Sequence, residues 1–123
     1  MARDNITVVE PVLEASKSAA YKAVTPTTIS TANNATIVGA TGVKDNSLVV
    51  IVNATTAGTV TFKAGVYHNA VLGDVPCGTG LTAIQIENPS RFQKADGNID
   101  VDFTTVAGTI YAVGKHAGLE AVA

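Results

Sequence analysis

Three aspartates in the C-terminal third of the chain form its most concentrated acidic group. Asp100 and Asp102 alternate with apolar residues, so a β strand would place both carboxylates on one face, about 7 Å apart, with Asp96 in the preceding turn. This spacing suits a calcium site or a catalytic carboxylate pair. Calcium, however, takes roughly six to eight oxygen ligands, and the stretch lacks the loop of alternating aspartates that presents them. We therefore favour a solvated strand face, whose charges discourage edge pairing.

The two histidines, His68 and His116, have no second metal-ligating residue at a suitable spacing. His68 shares a glycine-rich loop with Asp74, but we favour a hydrogen-bonded or exposed imidazole over a metal ligand. No serine lies in a G-x-S-x-G motif, and no glycine cluster has the pattern of a phosphate-binding loop. The sequence therefore predicts no metal, no cofactor and no enzymatic activity.

Cys77 is the only cysteine, so the chain cannot form an intramolecular disulfide. Its neighbours Pro76 and Gly78 predict a turn, and no nearby cation or base in the sequence would activate the thiol. The formal net charge is −2 and the lysines are scattered, which argues against nucleic acid as a partner. The N-terminus carries no apolar stretch of signal-peptide length, and no window reaches the ~20 apolar residues of a membrane span. We expect a soluble chain made in the cytoplasm, with no membrane partner.

The strand that must organise the fold is the aliphatic run at residues 48–52, which is predicted to be central and buried on both faces. A turn at 54–58 predicts a hairpin into a strand at 59–63, whereas 64–80 is expected to be mostly loop. The side chain of Phe92 is expected to pack into the core. Further strands with turn residues between them are predicted at 36–38, 81–87, 99–103 and 109–113.

Short strands at this spacing predict an all-β protein: a single antiparallel β-sandwich or small barrel-like domain with an N-terminal arm. We divide the chain into an N-terminal arm or peripheral segment at 1–34, a β-sandwich at 35–115 and a C-terminal tail at 116–123. Residues 12–24 fit a helix or an extended segment equally well, and this alternative stays open.

Several of these features occur in an order that resembles a known class of viral protein. They are the run LVVIVN at 48–53, the hairpin GTVTFKAG at 58–65, the corner IENPSRF at 86–92, and GNIDVDF at 97–103 leading to GTIYAV at 108–113. From about residue 48 to 115, the chain resembles the small β-sandwich proteins of tailed bacteriophages that lie beside the major capsid protein as head decoration or auxiliary proteins.

The resemblance implies a non-enzymatic virion structural protein, a capsid decoration or cement protein on the outer surface of a phage head. Its partner would be the major capsid protein, and the protein would itself be a homo-oligomer, with a trimer as one arrangement. We expect the arm to attach to the capsid by adding a strand to an exposed sheet edge. The residues predicted to contact a partner are Ile6, Thr7, Val8 and Val9 in the arm and Tyr67 and His68 in the long loop.

A carbohydrate- or surface-binding β-sandwich module of a phage fibre or tail accessory protein is the alternative. Such a module would use exposed aromatic rings for stacking on sugars, and Tyr67 is the best candidate for this. On the first interpretation, residues 1 to about 24 contribute little to the core. Deleting residues 2–24 is then expected to leave a folded domain that no longer binds capsids.

Overall fold

The computed structural model describes residues 3–10, 24–40, 43, 45–65 and 71–115. The open question of helix or extended chain at 12–24 falls almost entirely outside these ranges, as do Tyr67, His68, His116 and the tail at 116–123. The described residues form a 3₁₀ turn at Pro89–Arg91 and nine strands: β1 Asp4–Val9, β2 Thr27–Thr28, β3 Ala35–Val38, β4 Leu48–Thr56, β5 Gly58–Phe62, β6 Leu72–Cys77, β7 Gly80–Ile86, β8 Ile99–Thr104 and β9 Ala107–Val113.

The strands form one nearly closed, barrel-like sheet in the order β6-β5-β8-β3-β1-β9-β4-β7, with β2 also paired to β9. The prediction of an all-β, barrel-like domain is therefore confirmed. Pairing is antiparallel throughout the described strands except at β1, which is parallel to both of its neighbours. The purely antiparallel expectation is wrong at that one strand.

β1 joins the two halves of the sheet. Its first residues, from Asp4 to Thr7, pair with β3, and its last two, Val8 and Val9, pair with β9. Ile6 and Val8 point into the core and are buried, whereas Asn5 and Thr7 face outward. The prediction of a peripheral arm is thus wrong for residues 4–9. The strand is held in the sheet by its two buried side chains and by backbone pairing with β3 over its first four residues and with β9 over its last two.

The core is formed by the inward-facing residues of all the long strands. β4 contributes Leu48, Val50 and Val52, each fully buried, while Val49 and Ile51 on its other face are only half-buried. The prediction that this run is buried on both faces is therefore wrong, because a barrel-like sheet covers only its inner face. The predicted alternation at β5, β7 and β8 is confirmed, and Phe92 does plug the core, with its ring 6.3 Å from that of Phe62.

The connection between β4 and β5 is not the predicted hairpin. β4 pairs with β7 and β9, whereas β5 pairs with β6 and β8, so the chain crosses between the two halves of the sheet at Ala57. Gly58 makes this crossing possible, because a Cβ there would lie only 2.3 Å from the Thr104 carbonyl oxygen. The segment 64–80 also contains the edge strand β6, where Pro76 is tolerated because an edge strand needs fewer backbone donors.

The turn between β8 and β9 holds a strained residue. Thr105 has a φ of +67°, and the Val106 amide donates to the Thr104 carbonyl at 2.7 Å, which forms a γ-turn. A left-handed conformation costs a residue with a Cβ about 1–2 kcal/mol.

We expect Thr105→Gly to raise the melting temperature. Relief of strain exceeds the added chain entropy of glycine, about 0.5–1 kcal/mol, so the net gain is up to about 1.5 kcal/mol, or about 6 °C. Thr104→Gly, at the exposed end of β8 where no strain is relieved, serves as the control and should lower the melting temperature. Equal losses in the two variants in a thermal melt would contradict the γ-turn.

Candidate functional site

The predicted acidic pair lies on the outer surface of β8 within a cluster of opposite charges. Lys94 Nζ lies 3.2 Å and Arg3 Nε 3.6 Å from Asp100 Oδ1, and Lys63 Nζ lies 3.8 Å from Asp102 Oδ2. Arg3 also forms an ion pair with Asp102. We call this cluster, with Thr36, the charged face. Its carboxylates are half-buried and neutralised, so the prediction of a solvated strand face is corrected to a network of ion pairs.

Arg3 has a structural role that the sequence did not reveal. Its guanidinium donates to the Ala35 carbonyl at 3.0 Å and to the Val101 carbonyl at 2.8 Å, in addition to its ion pairs. This planar group therefore ties the start of β1 to both β3 and β8.

Asp96 lies apart from the pair, in the turn before β8. Its Oδ1 accepts a hydrogen bond from the Asn98 amide at 3.0 Å. Within the described ranges, no three histidine, cysteine or acidic side chains lie close enough together to hold a metal ion.

The neighbouring groups of the charged face lower the pKa of the Asp100 carboxyl. Burial raises its pKa, but hydrogen bonds from Thr36 and Lys94 and the charges of Arg3 and Lys94 outweigh this effect, so its pKa lies below the ordinary value of 3.8. A lowered folded-state pKa contributes stability above the unfolded-state pKa, and this stability is lost as the pH falls through the folded-state value.

We expect Asp100→Asn to lower the melting temperature at neutral pH and to flatten its decline below about pH 4. The amide keeps an acceptor for the Thr36 hydroxyl but removes the charge that Lys94 and Arg3 compensate. Asp96→Asn makes the same charge change at an exposed turn and serves as the control. The measurement is the melting temperature of both variants across the acidic pH range. If it depended on pH in the same way in both, the ion-pair network at Asp100 would be contradicted.

Cys77 is the last residue of β6, although the sequence predicted a turn there. Its side chain is buried, and burial raises the pKa of the thiol. A buried thiol with a raised pKa is a poor nucleophile. Cys77 therefore belongs to the core.

The partner contacts predicted in β1 divide between the two faces of the strand. Ile6 and Val8 are buried in the core and cannot meet a partner, so their assignment is corrected. Thr7 and Val9, with Asn5, line a shallow surface groove of about 370 Å³ beside residues 25–27. The other two predicted contacts, Tyr67 and His68, lie outside the described residues.

Beyond this groove, the outer surface of β1, β9, β4 and β7 carries a band of uncharged side chains. The strand register places Val9 beside Val113 and Val113 beside Val49, and it places Ile51 between Tyr111 and Ala83. Leu81 extends the band on β7 and, at 71% exposure, is the most exposed large apolar residue among those described. We call this surface the uncharged face; its members are Val9, Val49, Ile51, Leu81, Ala83, Tyr111 and Val113.

Comparisons with protein-family models, curated proteins and solved structures found no match for this chain. Across the described ranges, no helix has the length and hydropathy needed to span a bilayer.

Proposed function

We propose that this protein is a non-enzymatic capsid decoration protein, which binds the outer surface of a tailed-bacteriophage head through its uncharged face. The likeness of residues 48–115 to phage head decoration proteins supports the class of partner, the major capsid protein. It also supports a homo-oligomer located on the virion after synthesis in the host cytoplasm.

The main support for this surface is the difference between two regions of the outer surface of the sheet, the charged face and the uncharged face. On the charged face, Asp100 and Asp102 are neutralised by cations of the same chain, so these charges are already satisfied without a partner. The uncharged face instead presents aliphatic side chains and a tyrosine from four adjacent strands, with Leu81 largely exposed. The polar Asn53 and Gln85 lie at the margin of this face, beside Leu81 and Val49. Apolar side chains grouped on a surface in this way are typical of protein–protein contacts.

We now expect the uncharged face, and not the N-terminal arm, to be the site that attaches to the capsid. β1 is paired on both edges, so Ile6 and Val8 cannot leave to add a strand to a capsid sheet without unfolding the domain. Of the outward residues of β1, Val9 belongs to the uncharged face and Thr7 lies beside it in the surface groove. A flat apolar contact of modest area suffices on a capsid, because an oligomer that binds several equivalent sites gains avidity.

Co-sedimentation with undecorated phage heads tests this function. Leu81→Lys should abolish binding, because it places a charge in the apolar contact, while leaving the melting temperature nearly unchanged. Thr104→Lys adds the same charge at an exposed position on the opposite half of the sheet and should bind as the unmodified protein does. Attachment should also persist at high salt, since salt screens charge contacts but not apolar ones.

Two results would count against the proposal. If the unmodified protein fails to sediment with phage heads, the proposed capsid-binding function is wrong. If Leu81→Lys binds normally and Thr104→Lys does not, the protein does bind capsids, but through the half of the sheet that carries the charged face.

A further inference from the structure

A polar cleft of about 400 Å³ opens where β4 begins and β7 ends, beside the 3₁₀ turn. The polar side chains that face it include Asp45, Asn46, Glu87, Asn88 and Arg91. Ile86 and Phe92 also line the cleft but are almost fully buried, so they support its walls from the core side. The cleft is of the size that small-molecule sites have.

The backbone around the cleft is fixed by hydrogen bonds. Asn46 adopts a left-handed conformation with φ of 65°, and its amide donates to the Glu87 carbonyl at 2.9 Å. Gln85 Nε2 donates to the Asn46 carbonyl at 2.5 Å, and the Arg91 amide donates to the Asn88 carbonyl at 3.2 Å. The bonds between Asn46 and residues 85 and 87 join the two walls, and the Arg91 bond closes the 3₁₀ turn, so the backbone of the cleft is fixed before any ligand arrives.

The charged groups of the cleft differ from those of the charged face in one respect. Within the described part of the chain, Asp45, Glu87 and Arg91 form no salt bridge, whereas Asp100 and Asp102 are each paired. All three charged side chains are exposed. Their hydrogen-bonding capacity is therefore open to a ligand.

The mixture of groups restricts the chemistry of that ligand. A metal cation would be repelled by Arg91, and a simple anion would be repelled by Asp45 and Glu87. Carboxylate and amide groups do suit the adjacent hydroxyls of a sugar, because each hydroxyl donates one hydrogen bond and accepts others. We propose that the polar cleft binds a short neutral saccharide, independently of any attachment to a capsid.

Amide chemical-shift titration of the isotopically labelled full-length protein tests this proposal. The probes are maltotetraose and chitotetraose as neutral saccharides, with calcium chloride and sodium phosphate as simple ions. We expect at least one saccharide to shift amides at residues 45–46, 85–88 and 90–92 and to leave those of the charged face unmoved. Glu87→Gln should weaken that binding at least about tenfold, since it replaces an ionised acceptor. Asp96→Asn, an equal charge change at a turn residue that does not line the cleft, should not weaken it.

The proposal is overturned if neither saccharide moves these amides at millimolar concentration. It is also overturned if calcium or phosphate alone produces the same shifts, which would make the cleft a simple-ion site. Equal binding by the Glu87→Gln and unmodified proteins would place the saccharide elsewhere.

Discussion

Deletion of residues 2–24 should abolish cooperative folding, the reverse of the expectation drawn from the sequence. The deletion removes β1 from the middle of the sheet, so β3 and one end of β9 each lose the strand paired to one of their edges. It also removes the buried side chains of Ile6 and Val8 and the Arg3 contacts to β3 and β8. Each aliphatic side chain contributes about 1.5–3 kcal/mol by burial, against a total stability of roughly 5–15 kcal/mol.

A pair of point substitutions isolates β1 from the rest of the deleted segment. Ile6→Asp places an unpaired carboxylate at a position with 1% exposure and should prevent folding, because such burial costs several kcal/mol. Thr7→Asp introduces the same charge at the next residue, on the outward face, and should melt near the unmodified protein. Circular dichroism melts give the comparison. A soluble, cooperatively melting Ile6→Asp protein would show that β1 is not part of the core.

Val50→Asp should likewise prevent folding, whereas Ile51→Asp should give a folded protein of reduced stability. Val50 has 0% exposure on the inner face of β4, while Ile51 lies half-buried on the outer face between Tyr111 and Ala83. A strand buried on both faces, as the sequence predicted, would make the two substitutions equally damaging. The yield of soluble protein and its urea denaturation midpoint distinguish these cases. Equal loss in both variants would contradict a one-sided core.

Local patterns in this chain predicted which side chains face the core but not which strands pair. Alternation identified the inward residues of β8, Ile99, Val101 and Phe103, and all three are buried. The same patterns gave a β4–β5 hairpin that does not form, because strand periodicity specifies a face and carries no information on the partner. The parallel pairing of β1 is harder still to predict, since its partners β3 and β9 begin about 30 and about 100 residues further along the chain.

Prediction of the candidate sites from the sequence was limited in the same way. Asp100 and Asp102 were correctly placed on one strand face, but their partner Arg3 lies about a hundred residues away and has no local signal. The polar cleft combines the turn at Asp45 with the corner at Glu87 and Arg91, which meet only when β4 pairs with β7. Each segment alone resembles an ordinary polar turn, so neither indicates a binding site.

Electron cryomicroscopy of undecorated phage heads saturated with this protein would show which face of the protein contacts the capsid. We expect added density on the outer capsid surface, with Ile51, Leu81 and Tyr111 of the uncharged face against the major capsid protein and with Lys63 and Asp102 facing the solvent. Density that places the charged face against the capsid, or heads that remain bare, would contradict this expectation.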